Sequence, residues 1–216
     1  MSNKFNLAKL LLKTGLISIA IAVMFTGCVV NKGTINSYIE PTYNHGGIKT
    51  IAMFPIRNAK FAPSEARQIN KELIQAMNKK NPQVKIISPS EALRVINDAG
   101  LASDWANFVE DYYSSGIADR IVLSKVSKAM GTDAIFQGQM LNVRQSDGNP
   151  QIYAQTRVTV AFSIVETKTA KVIWEATSDG IRQQEVGFLR FHVEAPPIKE
   201  ALDFAIPKIK DNMPIL

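Results

Sequence analysis

Three kinds of side chain in this sequence could carry chemistry: one thiol, two imidazoles and a scatter of carboxylates. Cys28 is the only cysteine, which excludes a disulfide within the chain. His45 and His192 are the only histidines, whereas a zinc centre asks for three or four closely arranged His, Cys or acidic ligands. No serine sits in a Gly-x-Ser-x-Gly elbow, and neither a Gly-x-x-x-x-Gly-Lys-Ser/Thr loop nor a Gly-x-Gly-x-x-Gly turn occurs. Glu110 and Asp111 are adjacent on an expected helix, where neighbours point about 100° apart. That suits a solvated face better than a paired acid and base. Neither an enzyme, nor a cofactor, nor a metal site is expected.

Binding chemistry has two candidates. Trp105, Phe108 and Tyr112 fall at i, i+3 and i+7 and share one helix face. Such a face is either core or a partner groove, since Trp and Tyr are enriched in interface hot spots. Phe188, Leu189, Arg190 and Phe191, followed by Pro196-Pro197, form the second candidate. They stand in a segment, 181–195, that reads equally as an edge strand or as a surface loop carrying a docking motif.

The elements that must hold these residues are legible from periodicity. Residues 29–47 are polar, broken by Pro41 and closed by Gly46-Gly47, and read as a tether. Lys49–Ile56 is a short apolar run, a buried strand ended near Pro55. A helix opens at Ala62-Pro63-Ser64-Glu65 and runs to about Lys80, where Asn81-Pro82 stops it. Val84–Ile87 is a second strand, and Ser88-Pro89 restarts a helix to Gly100. Two further helices follow, Asp104–Tyr113 before Gly116 and Ala118–Met130 before Gly131. From Asp133 the period becomes two: a strand to Arg144, a turn at Asp147-Gly148-Asn149-Pro150, and a strand over Ile152–Val165. In that strand Ile152, Ala154, Val158, Val160, Phe162 and Ile164 face one way. A third strand, Lys171–Thr177, completes a hairpin and ends at Ser178-Asp179-Gly180. A last amphipathic helix, Ile198 to about Lys210, is interrupted by Pro207.

Ahead of the tether, Lys4, Lys9 and Lys13 precede an uncharged run from Gly15 to Phe25. That run is shorter than the ~20 apolar residues a permanent span needs and fits the h-region of a secretory signal peptide. Phe25-Thr26-Gly27-Cys28 resembles the bacterial lipobox, with Phe25 where that motif prefers Leu. From the residues alone, an ordinary secretory signal or a buried core cysteine stays open. The resemblance implies cleavage between Gly27 and Cys28, a thioether-linked diacylglycerol on Cys28 and acylation of its new amino group. Two or more chains anchor stably where one does not. Val29 follows the cysteine in place of the Asp that retains such proteins on the inner membrane. The implied location is therefore the outer membrane, on its periplasmic face.

Removing residues 1–27 takes three lysines and no acids, so the formal net charge falls from +6 to +3. No concentrated basic patch argues for nucleic acid. The 189 residues left (216 less 27) suit one domain able to bury a core. The expected organisation is a signal peptide over 1–27, a lipidated cysteine and tether over 28–47, and a single domain over 48–216. Its fold class is α/β of the α+β type. A mixed sheet of about five strands carries helices packed on one side and an antiparallel meander in the C-terminal half.

That order of elements resembles the periplasmic domain shared by the curli secretion lipoprotein and the penicillin-binding-protein activator lipoprotein B. The likeness rests on Lys49–Ile56 (KTIAMFPI), on Ala129–Gly138 (AMGTDAIFQG) and on Val165–Trp174 (VETKTAKVIW). In the third segment Ala170 replaces the family's turn glycine. The resemblance implies a non-enzymatic envelope lipoprotein acting through protein partners. It would be an accessory or structural subunit of a machine such as a secretion-system outer-membrane core, or a regulator of peptidoglycan synthesis, and could form oligomers. A curli-type pore and a small-ligand or glycan-binding module are the alternatives.

Overall fold

In the computed structural model, residues 29–43, 46–57, 60–149, 151–186 and 191–216 are described. The chain divides into two units, Met1–Val30 and Asn31–Leu216, and the account below concerns the second. Its strands are β1 (Lys32–Ile39), β2 (Thr50–Met53), β3 (Lys85–Ile87), β4 (Ala134–Ser146), β5 (Ala154–Glu166) and β6 (Val172–Gln184). Its helices are α1 (Pro63–Lys80), α2 (Pro89–Asp98), α3 (Ala102–Ser115), α4 (Arg120–Met130) and α5 (Ile198–Asn212). The strands form one mixed sheet in the order β1-β6-β5-β4-β2-β3. β2 runs parallel to β3 and β4, while β4, β5, β6 and β1 are antiparallel. The α+β class and the C-terminal meander are as expected.

The helix boundaries follow the local chemistry. Ser88 Oγ accepts from the Glu91 N–H to start α2, and Asp119 Oδ1 accepts from Ile121 and Val122 to start α4. Gly116 and Gly131, both left-handed, close α3 and α4. α5 runs on through Pro207 to Asn212 rather than breaking there.

Helices cover both faces of the sheet, not one. On the first face α1 and α5 pack over Ile51, Met53, Phe136, Phe162, Ile164 and Trp174. On the second, α2, α3 and α4 pack over Ala52, Phe54, Ile87, Ile135 and Val165. The short parallel strand β2 is buried on both sides, which is why its sequence is a continuous apolar run. β5 shows the transition. Val158, Val160 and Phe162 are buried while Arg157 and Thr159 are not, and at 162–165 both faces are closed. Beyond the helices the second face is polar. There partial burial works to raise the Asp179 pKa, but hydrogen bonds from Thr159 and Arg157 outweigh it and hold the group below its ordinary value. Ile152, expected to point inward, lies in the β4–β5 connection and is 58% exposed.

Two further expectations change. Residues 32–39, read as tether, form the edge strand β1, with Lys32 opposite Ile181 and Ile39 opposite Trp174. Ser178-Asp179-Gly180, read as a terminator, lies inside β6, which continues to Gln184. Each of these turn-type residues has a job in the strand. Gly180 faces Gly33 across the ladder. A Cβ added at Gly33 would lie 2.0 Å from the Phe204 carbonyl oxygen, and one at Gly180 1.9 Å from that of Ala201. The helix α5 backbone thus rests directly on β1 and β6. The Ser178 hydroxyl sits 2.7 Å from Thr34 O and 3.1 Å from Ala205 O, bridging strand and helix.

Two outcomes follow for thermal unfolding. Gly180→Ala forces α5 off the sheet, and its melting transition is expected to fall by the equivalent of ~1–3 kcal/mol. Ala170, in the β5–β6 turn, has φ +61° and is the non-glycine residue in the left-handed region among those described. Ala170→Gly should raise stability by about 0.5–1 kcal/mol, because a Cβ is strained in that conformation. An unchanged or lowered melting temperature would contradict it.

Candidate functional site

The aromatic face of α3 is core. Trp105, Phe108 and Tyr112 are 8%, 2% and 7% exposed, so the row is packed into the core and only Trp105 and Tyr112 reach the concavities beside it. The apolar second face of the sheet claims them. Phe54 stacks on Trp105 at 3.8 Å between ring centroids, and Trp105–Phe108 and Phe108–Tyr112 continue the row at 5.1 and 5.9 Å. Tyr112 ends it by donating its hydroxyl to Ser163 Oγ of β5 at 3.2 Å.

Just past that row the helical cover stops and the sheet becomes polar. A concavity of about 400 Å³ opens there, lined by Phe54, Arg57, Trp105, Glu110, Tyr113 and Gln137. A second of about 180 Å³ adjoins it, sharing Tyr113 and Gln137 and adding Tyr112, Gln139, Ser163 and Glu175. Arg57, placed by its bridge to Gln139 of β4, pairs with Glu110 and lies 5.4 Å over the Tyr113 ring. Burial pushes the Tyr113 hydroxyl well above the usual phenol range, Tyr112 adds to this and Arg57 opposes it. Burial also raises Tyr112, against the Ser163 hydrogen bond. Both phenols are therefore protonated donors at neutral pH.

Gln137 is the unusual member. It is 2% exposed, its Nε2 reaches Ser163 Oγ only at 3.5 Å, and its Oε1 has no hydrogen-bond partner. A buried acceptor left unpaired costs about 1–3 kcal/mol. The sequence carried a signal for it: Gln137 and Gln139 interrupt the otherwise apolar Ala134–Met140. Glu110 has the exposed position expected of it and takes part in an ion pair, not in an acid–base pair with Asp111.

The second sequence candidate is only partly visible. Phe188 and Arg190 lie outside the described residues, as do Cys28 and His45. Phe191 is 86% exposed. The 181–195 segment is strand as far as Gln184 and irregular in its described remainder. His192 lies 3.8 Å from Asp147 through its Nε2. Phe191 is not brought together with Trp105, Phe108 or Tyr112, which belong to the opposite, helix-covered part of the sheet. Among the described residues no cluster of three or more His, Cys, Asp or Glu could hold a metal ion. No described helix is long and apolar enough to cross a membrane.

No protein-family model and no curated protein matches the chain. Among solved structures it is similar to the lipoprotein GNA1162 from Neisseria meningitidis, at 12% identity over 76% of this chain and 99% of that one, with a TM-score of 0.47. It is also similar to the PelC dodecamer from Paraburkholderia phytofirmans, at 13% identity over 82% and 94%, with a TM-score of 0.42. The C-terminal domain of LpoB from Salmonella enterica matches at 13% identity over 67% and 87%, with a TM-score of 0.40. LpoB is the activator lipoprotein B of the resemblance drawn from strand and turn patterns, so that group recurs among the structural neighbours.

The orphaned acceptor yields a direct expectation. Gln137→Met keeps the volume and removes the unpaired oxygen, so stability should be unchanged or higher by ~1 kcal/mol. A clear loss of stability in urea titration would mean that the amide is satisfied in solution.

Proposed function

We propose that this protein is a non-enzymatic envelope lipoprotein, anchored through Cys28 to the periplasmic face of the outer membrane, that works by holding a protein partner near the bilayer. The observation that carries the reading is the start of β1 at Lys32. Only residues 29–31 separate the lobe from the cysteine, a reach of at most ~14 Å for four extended steps. A short connection of this kind fixes the height of a domain above the membrane, where a long tether would let it roam. That favours a subunit of a localised assembly, such as a secretion-system outer-membrane core or a complex regulating peptidoglycan synthesis.

Metabolic labelling with palmitate is the direct test. Wild type is expected to incorporate label and to sediment with outer membranes, and Cys28→Ala to lose both properties. Equal labelling of the two would refute the anchor. Cross-linking in intact envelopes should then trap a protein partner with wild type that is absent with Cys28→Ala.

A further inference from the structure

We infer that one end of the sheet is a lipid-facing surface, with Ile152 and Phe191 seated in the membrane interface. The inference rests on the Cys28 anchor proposed above. The sheet has two ends, and the chain emerges toward Cys28 at only one of them. β1 begins there, Lys32 opposite Ile181, and the Asn31 side chain accepts from the Gln183 N–H at 3.0 Å. β4 finishes at the same end and β5 starts there, with Ser146 opposite Gln155 and Ala154 opposite Gln184.

The two connections at this end are tied into one surface. Gly148 and Val193 exchange backbone hydrogen bonds at 2.8 and 3.0 Å, and the Asp147 carboxylate accepts from the Ala195 N–H at 2.8 Å. Among the described residues of these connections, Ile152 at 58% and Phe191 at 86% exposed are the large apolar side chains left in the open. Neither belongs to the hydrophobic core of either sheet face.

Chain length decides what covers them. Four residues from Cys28 to Lys32 span at most ~14 Å, while interfacial side chains sit ~5–10 Å into the headgroup and acyl boundary. An anchored Cys28 therefore brings this end to the bilayer surface. The described charges at this end are mixed in sign and do not favour anionic lipid: Arg157 pairs with Asp179 and Arg182 with Glu200, and the exposed Lys32 and Arg144 are offset by Asp147, Glu185 and Glu194. The contact is apolar and should be insensitive to salt.

The thioether on Cys28 leaves the lipidated protein without a free thiol, so an introduced cysteine is unique. Phe191→Cys, Ile152→Cys and Lys168→Cys, each carrying an NBD fluorophore, would be reconstituted as lipidated full-length mature chains in phosphatidylethanolamine–phosphatidylglycerol vesicles. Lys168 is exposed in the β5–β6 turn, at the far end of a 13-residue strand, roughly 40 Å away. Nitroxide-bearing lipids should quench the labels at 191 and 152 at least about twofold, and leave 168 unquenched, at low and high salt alike. Equal quenching at all three sites, or none at 191 and 152 in protein that carries palmitate, overturns the inference while leaving the anchor standing. Absence of palmitate fails the anchor reading itself. Both probed residues are exposed, so an unchanged melting temperature confirms that the labelled variants are folded.

Discussion

The seat of helix α5 on the paired glycines Gly33 and Gly180 governs much of the remaining architecture. Backbone-to-backbone approach at those two positions lets α5 lie flat across β1 and β6, with Ser178 joining all three. Ala201, Ala205 and Ile209, all fully buried, then close the first-face core. The same seating directs the C-terminal residues back over α1. There the fully buried Asn81 side chain donates to Pro214 O at 3.1 Å and accepts from Leu216 N–H at 2.7 Å. Trp174, the largest buried side chain, donates from its indole to Asn212 O at 3.0 Å. An edge strand with little apolar surface of its own is thereby held by helix contact and ladder bonds together.

The second face follows a different logic. Three helices cover it only as far as the aromatic row of α3 reaches, and there the inward residues of β4 and β5 change from Ile135 and Val165 to Gln137 and Ser163. A polar residue at a closed position is tolerated when its partners are complete. Here Gln137 Oε1 has no protein partner, and the residue lines the concavities at the boundary between dry and wet sheet. The Arg57–Glu110 pair, with Arg57 over Tyr113, caps the boundary from outside.

Helices and buried strands were legible because they state themselves locally, through an apolar stripe, a cap and a stop. β1 was not. Its sequence, KGTINSYI, has no run of alternating apolar residues, because the face it turns to α5 begins with Gly33 and packs only Ile35 against the core. Ser178-Asp179-Gly180 misled for the same reason: residues typical of turns were chosen for what a helix backbone needs beside it. Two-sided cover was written in β2 but could be assigned to both faces only once α2–α4 were placed. Ala170, which stands where the resemblance has a turn glycine, occupies a left-handed position that no local pattern announced. Of the site residues, Trp105, Phe108 and Tyr112 were correctly grouped on one face whose role was left open between core and groove. Arg57, Glu110 and Gln137 come together from the segment after β2, α3 and β4, a juxtaposition no local pattern encodes.

Pairing of the first strand with the last has a kinetic side. Thr34 and Ser178 are 144 residues apart, so β1 has nothing to pair with until most of the chain is present. Loop-closure entropy must be met before that ladder returns anything, and high contact order of this kind slows folding. The segment over 32–39 stays unpaired while the sheet is incomplete, and it joins as β1 only once β6 is in place.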